Sequence, residues 1–172
     1  MALISNQWLA NLGRSDQVFL LNPVGMSKKC SPYLKLSEGK NLLVTMPPAN
    51  LYESFCSNFT LPRVDQLAKK ILHHGVETFV VIPNIDIEMR KWLHQMKVTQ
   101  FSTFCDPENV ISNALGITVS YDGGTMKYPQ KLHILLRNEA VVYVGDTVKD
   151  REFQGLLKKV SEIFSENRIE EL

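Results

Sequence analysis

Cys56 stands in the stretch Cys56-Ser57-Asn58-Phe59-Thr60-Leu61-Pro62, just after the apolar run Leu42-Leu43-Val44-Thr45-Met46 and the pair Pro47-Pro48. A buried run, a proline break and a cysteine opening an amphipathic segment place a thiol at a helix N-terminus. Unpaired backbone N–H groups and the positive end of the helix dipole favour the thiolate there, which lowers the thiol pKa. Thiolate is the nucleophilic form, so this placement makes thiol redox chemistry the leading expectation. The other thiols sit differently. Cys30 lies in the polar stretch Ser27-Lys28-Lys29-Cys30-Ser31 and is expected to be an exposed, incidental thiol, whereas Cys105 closes an apolar segment and is expected in the core.

The elements that would position Cys56 follow from periodicity. Leu42 to Met46 and Thr78 to Ile82 are short apolar runs bounded by Gly or Pro and read as buried strands. Between them Val64, Leu67, Ala68, Ile71 and Leu72 recur at helical spacing, and Gly75 ends the pattern. A strand, helix, strand unit of this kind makes a parallel pair. Ile87 to Gln95 predicts a short helix, Phe101 to Cys105 a strand, and Pro107 the first turn of a helix that Gly116 ends. Ile117 to Tyr121 reads as extended, and Lys131 to Leu136 with Ala140 to Val144 as a hairpin turning at Arg137-Asn138-Glu139. Thr147 to Asp150 resembles a capping box, followed by the helical stripe Phe153, Leu156, Leu157, Val160, Ile163 and Phe164. The order is that of an α/β layer fold. Residues before Leu36 read as a peripheral hairpin.

Composition narrows the function classes. A chain of 172 residues with 44% hydrophobic content reads as one domain with a sizeable core. Lys+Arg 19 against Asp+Glu 18 gives no electrostatic case for nucleic acid or an anionic membrane. The apolar stretches are far shorter than the roughly 18 residues of a spanning helix. Met1 to Gly13 lacks the basic start and apolar core of a signal peptide, so a cytoplasmic location is the expectation, and the sequon Asn58-Phe59-Thr60 then carries no meaning. Three cysteines without paired spacing argue against a disulfide scaffold and a zinc site. His73-His74 near a helix end read as favourable charge placement, since adjacent residues do not share a helix face.

Several motifs also resemble one family. Cys56-Ser57 with Leu61-Pro62, after a strand and a Pro-rich turn, is similar to the active-site loop Cys-Ser-x-x-x-Leu-Pro of peroxiredoxins of the atypical, type II redoxin group. Asn84 to Trp92 resembles that group's Asn-Asp-x-Phe-Val-Met-x-x-Trp segment, and Asp106-Pro107 with Asn113-Ala114-Leu115-Gly116 its Asp-Pro…Ala-Leu-Gly segment. Gly39-Lys40 before the apolar run also fits, and the similarity extends from near Leu36 to near Val144. The resemblance implies a thioredoxin-like fold of the peroxiredoxin subclass, an α/β architecture with a central mixed sheet flanked by helices. It implies a thiol peroxidase needing no cofactor, with a peroxide substrate, an external thiol reductant (glutathione, thioredoxin or glutaredoxin), and a homodimer formed through the loops around Cys56 and Trp92.

The same resemblance exposes departures. The family carries Pro-x-x-x-Thr-x-x-Cys; counting back from Cys56 puts Glu53 at the threonine and Ala49 at the proline. Pro47 and Pro48 fit a slightly longer loop, in which Ser54 supplies a hydroxyl from a shifted register. The family arginine opening a strand is here Lys131, which keeps the charge and loses the planar fork. The implied catalytic set is Cys56, Lys131 and Ser54, with Pro47, Glu53 and the Ser57 N–H lining the substrate site. A Glu53 carboxylate beside the thiolate would raise the thiol pKa; pointing to solvent it would not. Lys131 opening an edge strand would be merely solvated, and Asn84, Asp86 and Trp92 would serve capping and packing. The enzyme expected is a weakened, one-cysteine peroxidase. The alternative is a catalytically inactive member serving as an interaction or redox-sensing protein.

Overall fold

A computed structural model describes residues 8–24, 26–46, 54–97, 100–116, 118–121, 126–129, 131–147, 149–150 and 152–170, with side chains left out for 54–59, 118–121, 126–129 and 165–170. The strands β1 (Val18–Leu21), β2 (Ser27–Cys30), β3 (Asn41–Thr45), β4 (Val76–Ile82), β5 (Ser102–Cys105), β8 (Leu132–Arg137) and β9 (Ala140–Asp146) form one sheet in the order β2-β1-β5-β4-β3-β8-β9. Its centre is parallel: β3 pairs with β4, and β4 with β5. Both flanks are antiparallel, β1 on β5 and β8 on β3. The expected mixed sheet flanked by helices is therefore the architecture found.

The helices follow from where the apolar stripes must go. The crossovers are α2 (Ser54–Leu72), from β3 to β4, and α3 (Asp86–Met96), from β4 to β5. With α5 (Gln154–Glu170) they pack on one face, where Leu61, Val64, Ile71, Met89, Leu156 and Val160 meet Leu43, Val80 and Leu135. The opposite face carries a 3-10 helix (Trp8–Asn11), α1 (Pro32–Leu36) and α4 (Val110–Leu115) against Leu42, Val44, Phe79, Phe104 and Ile134. Neighbouring strand residues thus divide between the two cores, as the two-residue period of a strand requires.

Several expectations change at element ends. Leu72 is 55% exposed rather than part of the buried stripe, because α2 stops there and the chain turns through Gly75 at φ +76. Pro107 does not open α4: the Asp106 carboxylate accepts from the Val110 and Ile111 N–H groups at 2.8 and 2.9 Å, and left-handed Asn109 separates the turn from the helix. α5 begins at Gln154, and its cap is Asp150, which accepts from Gly155 and Leu156 at 3.2 and 3.0 Å. Thr147 is not that helix's cap but is buried elsewhere, as described below.

The β8–β9 turn is the pair Asn138-Glu139, both at positive φ (50° and 72°), with Arg137 still in the strand. That is the backbone twist a two-residue hairpin favours. The expected N-terminal hairpin is found at the margin of the main sheet, with β2 outermost and β1 joined to β5. The extended segment expected around 117–121 includes β6 (Thr118–Tyr121), which pairs with β7 (Met126–Pro129), a strand that nothing in the sequence pattern marks.

Candidate active site

The parallel strands β3, β4 and β5 end at Thr45, Ile82 and Cys105, with Ile82 level with Cys105 and Thr45 level with Val80. In open α/β sheets, ligand sites form beyond these carboxyl ends. The chain leaving β3 returns as α2, whose third residue is Cys56. The thiol thus belongs to a residue of the first helical turn, where backbone N–H groups have no partner within the helix. Ser54 opens that helix and Ser57 is its fourth residue. Pro47 and Glu53 lie outside the described residues, and so does any side-chain contact of Cys56, Ser54 or Ser57.

The exit from β3 is held firmly. The Met46 N–H donates to the Leu132 carbonyl at 2.8 Å, and the Thr147 N–H to the Lys131 carbonyl at 2.9 Å. The Thr147 hydroxyl, on a buried side chain, donates to the Met46 carbonyl at 3.2 Å. One threonine therefore ties the residue before the Cys56 loop to the residue opening β8. Lys131 is half-buried and precedes a strand lying between β3 and β9, so the expectation of a lysine on an edge strand is corrected.

Beneath this junction lies a polar pair. Thr45 and His133 are register partners, both at 0% exposure, with Oγ1 and Nδ1 at 2.8 Å. The imidazole edge meets the Phe153 ring at 5.4 Å between centroids, and Nε2 has no hydrogen-bond partner among the described residues. Burial drives the His133 pKa down to about 4, against an opposing pull from Asp150 and Asp146. The ring is neutral over the physiological range.

The remaining thiols differ in environment from a helix start. Cys105 is 2% exposed, and burial, then the charges of Asp86 and Asp106, push its pKa up to about 12, so it is an unreactive core residue as expected. Cys30 was expected to be exposed; it is half-buried against the second core because β2 pairs it with Val18, and burial, then Asp16, raises its pKa. Asn84 and Trp92 are buried, and Asp86 accepts from the Ser27 hydroxyl at 2.9 Å, so these positions tie α3 to its surroundings. Among the described residues no group of three His, Cys, Asp or Glu side chains could hold a metal ion, and no helix is long and apolar enough to cross a membrane.

Sequence reasoning missed the Thr45–His133 pair and the Thr147 tie. The available signal was a polar residue on the inward face of each of two apolar strands.

No family model matches the sequence, and no curated protein matches it. Solved structures do. AhpC from Enterococcus faecalis superposes with a TM-score of 0.67 at 14% identity, covering 84% of this chain and 85% of that one. Thioredoxin peroxidase I of Plasmodium yoelii gives 0.68 at 9% identity, covering 91% and 92%. Peroxidoxin BcpB from Mycobacterium tuberculosis gives 0.63 at 12% identity, covering 88% and 97%. At these identities the likeness is one of fold, and it spans nearly the whole of each partner. The chain carries the peroxiredoxin form of the thioredoxin-like α/β fold.

Proposed function

We propose that the protein is a thiol peroxidase of the one-cysteine type, acting through Cys56 on hydrogen peroxide or an alkyl hydroperoxide. The observation that carries this reading is the place of Cys56 in the first turn of α2, beyond the carboxyl end of β3, in a peroxiredoxin fold. The Cys56 thiolate attacks one peroxide oxygen. The O–O bond breaks, the sulfur becomes a sulfenic acid, and the other oxygen leaves as alkoxide or hydroxide and takes a proton. One external thiol then condenses with the sulfenic acid, releasing water and forming a mixed disulfide. A second thiol attacks that disulfide, which restores the Cys56 thiol and yields the oxidised reductant.

In this reading the helix start and the Ser57 N–H stabilise the thiolate, and Lys131 supplies a cation from the position just before β8. Ser54 holds the peroxide, with Pro47 and Glu53 shaping the loop around it. The reductant is glutathione, thioredoxin or glutaredoxin. The protein works in the cytoplasm, as a dimer built around the segment that carries Cys56. Trp92, expected in a loop of that contact, is instead buried within α3, so its side chain stays out of the contact.

A second reading, an inactive redoxin-fold interaction or sensing protein, draws on the Glu53 and Lys131 departures. Sulfenic-acid trapping separates the two. One equivalent of peroxide followed by dimedone is expected to place the adduct on Cys56, with Cys30 and Cys105 unmodified. Adduct on Cys30 alone would refute the peroxidase.

A further inference from the structure

A feature unconnected with Cys56 lies on the α3 side of the sheet. The Ser27–Asp86 hydrogen bond draws the β1–β2 turn against the start of α3. Eight large hydrophobic residues are exposed among those described, and four belong to these two segments: Val24 (81%), Met26 (69%), Ile85 (47%) and Ile87 (70%). Beside them runs an open groove of about 920 Å³ whose apolar lining is Pro23, Val24, Ile87, Leu93 and Phe101. Contiguous exposed aliphatic surface around a concave floor marks an interaction site more often than chance exposure does.

The groove has a charge of one sign. Arg90, Lys91, His94 and Lys97 line it, and no carboxylate does among the described residues. The asymmetry reaches into the sequence. Residues 17–37, which include the β1–β2 hairpin, and residues 89–105, which include most of α3, contain no Asp or Glu, although Asp86 and Glu88 flank Ile87 and the whole chain balances 19 basic against 18 acidic residues. The acids of α3, Asp86 and Glu88, stand in its first turn, where Arg90 pairs with Asp86 at 3.9 Å. A helix dipole accounts for a cation in the last turn of α3. It does not account for an acid-free wall on the facing hairpin or for exposed Val24 and Ile87.

We infer that this groove, between the β1–β2 turn and α3, docks an acidic peptide segment of a partner protein that inserts aliphatic anchors between carboxylates. Apolar anchors would fill the floor while flanking Glu or Asp side chains meet the basic rim, the division of labour usual in peptide recognition. A concave aliphatic floor fits side chains better than stacked bases or a lipid surface. The inference stands independently of any chemistry at Cys56.

The test is fluorescence anisotropy with a labelled synthetic peptide of about three helical turns, leucine at every third or fourth position and glutamate between. Saturable binding is expected, weakening with added salt. The double variant Lys91→Glu with Lys97→Glu should weaken it about tenfold, because reversal turns two attractions into repulsions. Ile87→Asp, at a 70% exposed position that folding does not need, should weaken it comparably. Lys159→Glu on α5 should leave it unchanged, and far-ultraviolet circular dichroism should match wild type throughout. The inference falls on any of four results: no saturable binding, equal binding by the variants, equal binding of a glutamine-for-glutamate peptide, or tighter binding of phosphatidylserine vesicles or poly-uridine. Self-association abolished by the same substitutions would also overturn it, in favour of a second copy as the occupant.

Discussion

The double variant Glu53→Thr with Lys131→Arg is expected to consume peroxide at least about a hundredfold faster than wild type. Each positioned donor that stabilises a transition-state oxygen is worth about two to three decades in rate. Glu53 offers no hydroxyl and, if it faces the thiol, opposes ionisation. Lys131 offers charge without the planar fork that could meet thiolate and peroxide together. The strand it opens lies between β3 and β9, next to the strand whose exit leads to Cys56, so an arginine there starts from a fixed backbone. Lys131→Arg alone should gain least, Glu53→Thr more, and the pair more than the two gains combined, because both groups act on one peroxide. Stopped-flow consumption of hydrogen peroxide under excess thiol reads this. A double variant no faster than wild type would mean that the loop, rather than these two side chains, sets the rate.

The second large effect is acid sensitivity centred on His133. Its pKa in the folded protein is lowered to about 4 from the ordinary 6.5, chiefly by burial. The unfolded chain therefore takes up a proton near pH 6.5 that the folded chain refuses until about pH 4. Above that range the ring is neutral in both states and contributes nothing to the pH dependence; below 6.5 stability falls as pH falls. At 1.36 kcal/mol for each unit of separation, the loss approaches about 2.5 kcal/mol near pH 4.5. Asp146 and Asp150 oppose the shift without reversing it. Urea unfolding at neutral pH and near pH 4.5 should show this loss in wild type and a loss smaller by about that amount in His133→Leu. Equal losses in the two proteins would remove His133 from the account.

How far the sequence foretold this molecule varies by element. β3, β4 and β5 were legible because strands buried on both faces are runs of apolar residues. α2 was legible from Val64, Leu67, Ala68 and Ile71, and Cys56 fell in its first turn as the proline break implied. Helix starts were read less well. Asp106 and Asp150 cap α4 and α5 from four to six residues before the N–H groups they serve, so a search at ordinary cap spacing passes over them. Thr45 and His133 meet across 88 residues of chain, and Thr147 and Met46 across 101. No local pattern encodes such contacts; they exist because β3, β8 and β9 share an edge of the sheet. Cys30 is half-buried by the same kind of long-range pairing, which its polar sequence neighbours hide. Of the candidate site, the helix start under Cys56 and the strand behind Lys131 were read correctly in kind, while Lys131 was assigned to an edge it does not occupy.

The measurement closest to the central claim is steady-state consumption of hydrogen peroxide with glutathione, thioredoxin or glutaredoxin as reductant, comparing wild type with Cys56→Ser, Cys30→Ser and Cys105→Ser. The account expects a saturable wild-type rate, slow for this fold, that falls to the uncatalysed background in Cys56→Ser alone. A wild-type rate indistinguishable from background with every reductant, or one that survives Cys56→Ser, would contradict it.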